Sequence, residues 1–278
     1  MPDRDLDITK FSFFAYRKLK KTLGEFDAVV ECNEIAIKEF IEQAPKENLQ
    51  KYIQQLSTKH KVKVDEVDFL KFSSRIRQYY VASVSQQSEQ FLKDFRIEWQ
   101  KYFPEKIWIE PAKGETKLQN TLKNVSLSLS NDLVEVYEYY RLVRNYMSHT
   151  DRDLEELKNR LKKIHSNQND FLKDSNLSSL PNSVDDINFS DFLILTNVVK
   201  HIAYLISTES KPENERIAEV LFDKSKENDK ATYKGLKKMK NDKDRFERAL
   251  RSFITTNFGR FSSQDLDSVS KKLGSLLA

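Results

Sequence analysis

The chain has one cysteine, five glycines and six prolines in 278 residues. A single thiol, Cys32, excludes an intramolecular disulfide and supplies no cysteine cluster for zinc. So little glycine argues against an all-β fold and against a glycine-rich phosphate loop. No H-E-x-x-H, C-x-x-C or G-x-S-x-G stretch occurs. The sequence therefore offers no motif for a metal hydrolase or a zinc deaminase, and no nucleophile elbow. No cofactor is expected. No apolar run approaches the roughly 20 residues that cross a bilayer, and the start, MPDRDLDITK, has no signal-peptide core. The expectation is a cytoplasmic chain without a membrane span.

What the chain has is helical pattern. Hydrophobic residues make up 38% and charged residues 32%, enough to build a helical core under a soluble surface. Apolar residues recur at helical spacing almost throughout, with no credible alternating run, so the fold class is all-α. The breakers predict helices at about 6–23, 26–43 and 46–59, divided at Gly24 and Pro45. A long helix over about 66–103 stops at Pro104. The segment 104–114, which holds Trp108, reads as a loop packed on the bundle. Further helices are predicted at about 115–149, 151–173, 189–208, 213–223, 229–240, 243–257 and 263–276, with a polar loop over 174–186.

One stretch carries chemistry: Arg144-Asn145-Tyr146-Met147-Ser148-His149. At about 100° per residue, with Arg141 at zero, Ser148, Arg144, Asn145 and His149 fall within one polar arc. Leu142, Tyr146, Tyr139, Val143, Val136, Met147 and Tyr140 fill the opposite, apolar side. Such an arc suits phosphodiester chemistry. A guanidinium matches phosphate oxygens and holds developing negative charge. An imidazole moves protons near neutral pH. An asparagine one turn before the histidine can orient it or bind a phosphate oxygen. The helix dipole favours a charged His149, while Arg141 and Arg144 oppose it, so the sequence does not assign it as base or acid.

Arg144-Asn145-x-x-x-His149 resembles the signature of the HEPN superfamily, an arginine followed by a polar residue and, four to six residues on, a histidine. The flanking helices resemble that family as well: 81–103, with Glu89 at a position often polar, and 189–208 as a closing helix. The resemblance covers roughly 65–209. It implies a HEPN-like antiparallel helical bundle over 65–209, with a helical extension over 1–64 and a basic one over 210–278. It also implies a metal-independent endoribonuclease, active as a homodimer and serving as a toxin or antiphage effector. Arg144 would stabilise the transition-state phosphate, His149 would act as base or acid, and Asn145 would stand between them. Attack by the ribose 2′-hydroxyl would leave a 2′,3′-cyclic phosphate and a 5′-hydroxyl.

Other features are weaker. Arg141 and Ser148 lie on the same arc and are candidate substrate contacts. Between Lys224 and Arg251, eleven basic residues face five acidic ones; Lys237 and Lys238, with Lys234, Arg245 and Arg248, form a candidate clamp for an RNA backbone. Arg17-Lys18 and Lys20-Lys21 follow Phe11, Phe13, Phe14 and Tyr16, which read as core or partner-docking residues. His60 reads as exposed, His165 could approach the motif only if its helix folds back, and His201 reads as packed among apolar neighbours. Two other functions are consistent with the sequence: a non-catalytic module that binds RNA or a nucleotide, and a helical interaction protein that docks an antitoxin or other regulatory partner.

Overall fold

The structure, a computed structural model, describes residues 11–45, 47–64, 68–148, 154–166, 179–227, 230–259 and 261–277. The fold is all-α: 79% of the described residues are helical and none of them forms a strand. The helices are α1 (Phe14–Gln43), α2 (Leu49–His60), α3 (Phe69–Tyr102), α4 (Lys117–Asn124), α5 (Asn131–Ser148), α6 (Leu154–Ser166), α7 (Phe189–Glu209), α8 (Asn214–Glu227), α9 (Lys230–Met239), α10 (Lys243–Phe258) and α11 (Ser263–Leu277). A single 3-10 turn, Val184–Asp186, precedes α7.

Three helix boundaries differ from the sequence pattern. The first helix, expected over about 6–23, starts only at Phe14, because the amides of Ser12 and Phe13 are taken by Phe258 O and Ser207 Oγ. Gly24 does not divide α1. A side chain there would meet nothing within 4 Å, so this glycine only weakens an exposed turn, by about 1 kcal/mol relative to alanine. In contrast, the stretch expected as one helix over 115–149 is broken. A capping box at Thr116 and Gln119 starts α4, and helical structure stops at Asn124. Residues 125–130 read VSLSLS. Serines compete for backbone hydrogen bonds, and a β-branched valine weakens the last turn. Ser126 turns the chain with φ 55°, and α5 begins afresh at Asn131.

The residues fall into two compact units, each assembled from separated segments. The first takes 1–19, 89–128 and 202–278; the second takes 20–88 and 129–201.

The first unit is centred on aromatic rings. Phe13 lies edge-on to Phe11 and to Phe95, both at 5.0 Å, and Phe11 lies 5.4 Å from Phe258. The segment leading into α1 is pinned by its backbone: Ser12 N–H donates to Phe258 O at 3.2 Å, and Phe13 N–H to Ser207 Oγ at 2.9 Å. Phe11, Phe13 and Tyr16 are thus core residues, whereas Phe14 is 60% exposed. In the loop after α3, Trp108 is buried, 5.4 Å from Trp99, and its Nε1 donates to Asn120 Oδ1 at 3.1 Å. Asp242 caps α10 by accepting from Arg245 N–H, and Gly259, at φ 85°, ends it.

The second unit has its own ring cluster, Phe26, Tyr80 and Phe192, each pair edge-on. Beside it Arg77 donates twice to the buried carboxylate of Glu34, at 2.9 and 2.8 Å. Lys200 and Asp27 form a further ion pair at 2.7 Å. Helix α7 is long and apolar enough, by length and composition alone, to cross a bilayer, a property not anticipated from the sequence. In this fold 56% of that apolar window is buried inside the protein, and a helix buried on most sides has the same composition.

Candidate functional site

The motif helix α5 is tied to its unit from several directions. Tyr137 OH accepts from Ser88 Oγ of α3 at 3.0 Å. Glu135 accepts from two residues of α6, Arg160 at 2.6 Å and Lys163 at 2.8 Å. Tyr139 OH donates to Asn182 O in a short hydrogen bond. Tyr140 OH donates to Asp191 Oδ1 at 2.8 Å. These ties bury residues 136–140, along with Leu133, Leu142, Val143 and Asn145. Burial keeps both tyrosine hydroxyls well above their ordinary value, with the Asp191 carboxylate adding to the shift.

The arc around Arg141 is therefore less open than its sequence suggests. Glu138 and Tyr137 project into it, and both are buried. Arg141 Nε donates to Glu138 Oε2 at 2.5 Å, with the arginine side chain 27% exposed and the glutamate 3%. Asn145, placed by periodicity on the open side, is itself buried, whereas Tyr146 and Met147, placed on the apolar side, are half-exposed. The reason is position along the helix. Residues 136–140 in the middle of α5 are enclosed all round, whereas both ends emerge, Asn131 and Ser148 being exposed, and Asn145 is the buried residue of the last turn.

In that last turn Arg144 is half-buried, and its Nη1 donates to Asn145 Oδ1 at 3.1 Å. Ser148 is exposed, and its Oγ donates back to Arg144 O at 2.9 Å. The hydroxyl is thus engaged by its own helix. His149 lies outside the described residues. The structure accordingly brings Arg144, Asn145 and Ser148 into one turn and turns Arg141 towards a carboxylate.

No family model matches the chain, and no curated protein or solved structure is significantly similar to it.

Lys237 and Lys238 stand on α9, are exposed, and belong to the first unit, whereas the motif helix belongs to the second. Lys237 Nζ sits 5.1 Å from the Tyr233 ring centroid. His165 is exposed, with Nε2 2.8 Å from Pro181 O, and His201 is half-buried. Among the described residues no group of three histidine, cysteine or carboxylate side chains is placed to hold a metal ion. Sequence reading missed Glu138, the partner of Arg141. Its spacing three residues before Arg141 was the available signal.

Proposed function

We propose that the protein is a metal-independent endoribonuclease of the HEPN type. The observation that carries this reading is the last turn of α5, where a half-exposed guanidinium is held by the buried amide beside it. A held guanidinium loses less freedom when it meets a phosphate, and it meets the extra charge of a phosphorane without reorganising. The sequence puts His149 immediately after this turn. In the proposed reaction one group takes the ribose 2′-hydroxyl proton, and the oxygen attacks the adjacent phosphorus. The bond to the 5′-oxygen breaks, and a second group protonates the leaving oxygen. A homodimer with two motif helices would supply both an acid and a base. Asn145 positions Arg144, and the exposed lysines Lys237 and Lys238 bind RNA backbone. A nuclease of this kind serves as a toxin or antiphage effector, kept silent by a regulatory protein.

The test is incubation of purified protein with total RNA in EDTA, beside Arg144→Ala and His149→Ala variants of unchanged circular dichroism. The reading requires cleavage by the parent protein, cyclic-phosphate ends, intact DNA, and loss of cleavage in both variants. Cleavage that persists in either variant, or that needs a divalent ion, rejects it.

A further inference from the structure

A cleft of about 600 Å³ opens in the first unit, away from the residues assigned to cleavage. It is formed where the start of α1, the last turns of α3, the middle of α8 and the end of α10 meet. Its volume lies in the range of pockets that hold small organic ligands. Tyr102 and Phe258 belong to its wall, with ring centroids 6.3 Å apart and planes at 66°. Phe14 and Ile97 also line it, yet they are 60% and 59% exposed. The Arg17 guanidinium sits 5.9 Å from the Phe14 ring centroid. A planar aromatic group entering here would find ring edges and faces on which to stack.

The charges of the cleft divide into engaged and available groups. Glu98 accepts the N–H groups of Phe14 and Ala15, both at 2.8 Å, so the amides that open α1 are already satisfied. Burial pushes the Glu98 carboxyl above its ordinary range, although those two N–H groups, Arg17 and, more weakly and without an ion-pair contact, Lys101 pull the other way. Lys18 is spent on Asp94 at 2.7 Å. Arg216 donates to the carbonyls of Tyr102 and Lys101 and to Glu219. Lys101 and Lys224 remain. Both are exposed, and neither forms an ion pair among the described residues. Lys224 Nζ is oriented by Asn257 Oδ1 at 2.9 Å. A phosphate monoester carries nearly two negative charges near neutral pH, which two ammonium groups would balance. Asp223 adds an acceptor for the amino and imino groups of a base.

We propose that this cleft is a binding site for a nucleoside phosphate, its base held against the Phe14, Tyr102 and Phe258 side and its phosphate between Lys101 and Lys224. The same phosphate monoester is presented by a free mononucleotide and by the 5′-phosphorylated end of a single-stranded RNA. The site stands independently of the cleavage reaction, since it involves neither Arg144 nor His149.

The experiment is equilibrium titration of the full chain with adenosine and uridine 5′-monophosphates, inorganic phosphate, a cleavage-resistant 5′-phosphorylated 2′-O-methyl hexanucleotide, and an acidic phenylalanine-containing peptide. The same titrations are run on Lys101→Glu/Lys224→Glu, on the milder Lys101→Met/Lys224→Met, on Phe14→Ala, and on His149→Ala. Saturable mononucleotide binding is expected. It should weaken at least tenfold in both lysine double variants and several-fold in Phe14→Ala, and be unchanged in His149→Ala. Hexanucleotide binding ten times tighter than mononucleotide identifies an RNA strand as the source of the ligand; equal affinity identifies a free nucleotide. Four results overturn the proposal: no saturable binding at millimolar ligand, affinity unchanged in the Lys101→Met/Lys224→Met protein, inorganic phosphate binding as well as nucleotide, or an acidic phenylalanine-containing peptide binding more tightly. Loss of cleavage in His149→Ala with nucleotide binding intact separates this site from the nuclease reading, and each can fail without the other.

Discussion

Tyr140 OH donates to the Asp191 carboxylate at 2.8 Å, and both residues are fully buried. Asp191 also accepts from Asn182 N–H, Asn182 Nδ2 and Asn188 N–H, each at 2.9 Å. One carboxylate thus joins the motif helix α5 to the turn before α7. A hydrogen bond to a charged group contributes about 1.5–3 kcal/mol, so Tyr140→Phe should lower unfolding free energy by about that much. Asp191→Ala strands several donors at once and should cost about 4 kcal/mol. Urea denaturation measures both. A Tyr140→Phe protein within about 0.5 kcal/mol of the parent would show the tether to be energetically idle.

Arg141 offers a sharper distinction between structure and substrate binding. Its guanidinium holds Glu138, a carboxylate 3% exposed inside the helix bundle. Removing the cation while leaving the buried anion should destabilise the protein by about 2 kcal/mol, less than for a fully buried pair because Arg141 is partly solvated. Arg141→Met should therefore melt earlier, and Arg141→Met/Glu138→Gln should recover most of the loss. If RNA cleavage recovers with stability in the double variant, Arg141 is a structural residue. Cleavage that stays low despite restored stability would place it on the substrate.

The contrast between Arg141 and Arg144 also marks what could be read from the sequence. The all-α class followed from apolar spacing and the scarcity of glycine, and the boundaries of α3, α10 and α11 lie within a few residues of the pattern. The angular position of each residue on α5 was equally legible. What faced each position was not. Glu138 and Asn145 share the arc of Arg141, yet they are buried; the helix is enclosed by neighbours distant in the chain, such as Ser88, Asn182 and Asp191, which bond its Tyr137, Tyr139 and Tyr140. The break after Asn124 carried only a partial signal: Asn131 and Asp132 are residues that can cap or break a helix where α5 begins, but the run of serines and leucines before them carries no strong stop signal, and the cause of the break lies in backbone competition. The cleft of the first unit was invisible for the same topological reason: Lys101 and Lys224 come from different helices and show no common motif.

Asn120 supports a buried indole from two sides. Its Oδ1 accepts from Trp108 Nε1 at 3.1 Å, and its Nδ2 donates to Ile109 O at 3.0 Å. Asn120→Ala leaves both groups without this partner and should cost about 1–3 kcal/mol. Asn120→Asp keeps the acceptor but sets a buried carboxylate against Ile109 O and the Glu115 carboxylate, so it should cost at least as much as alanine. Thermal melts followed by tryptophan emission report the loop directly. Equal stability of all three proteins would mean that water replaces the amide without penalty.

His201, on α7, sets a pH dependence. Burial lowers its pKa below the ordinary value of 6.5. The folded protein therefore binds this proton less readily than the unfolded chain does. Between the depressed value and 6.5 the unfolded state carries more protons, so stability rises with pH through that window. Above 6.5 the contribution is complete, and it is lost as the pH falls through the folded value. His201→Gln removes the titration while keeping a polar side chain of similar reach. Urea midpoints from pH 5 to pH 7.5 should then rise more steeply with pH for the parent than for the variant, with the two curves parallel above neutrality. Parallel curves across the whole range would mean that the imidazole is solvated in the folded state, and a steeper variant curve would mean that an acidic neighbour, not burial, governs it.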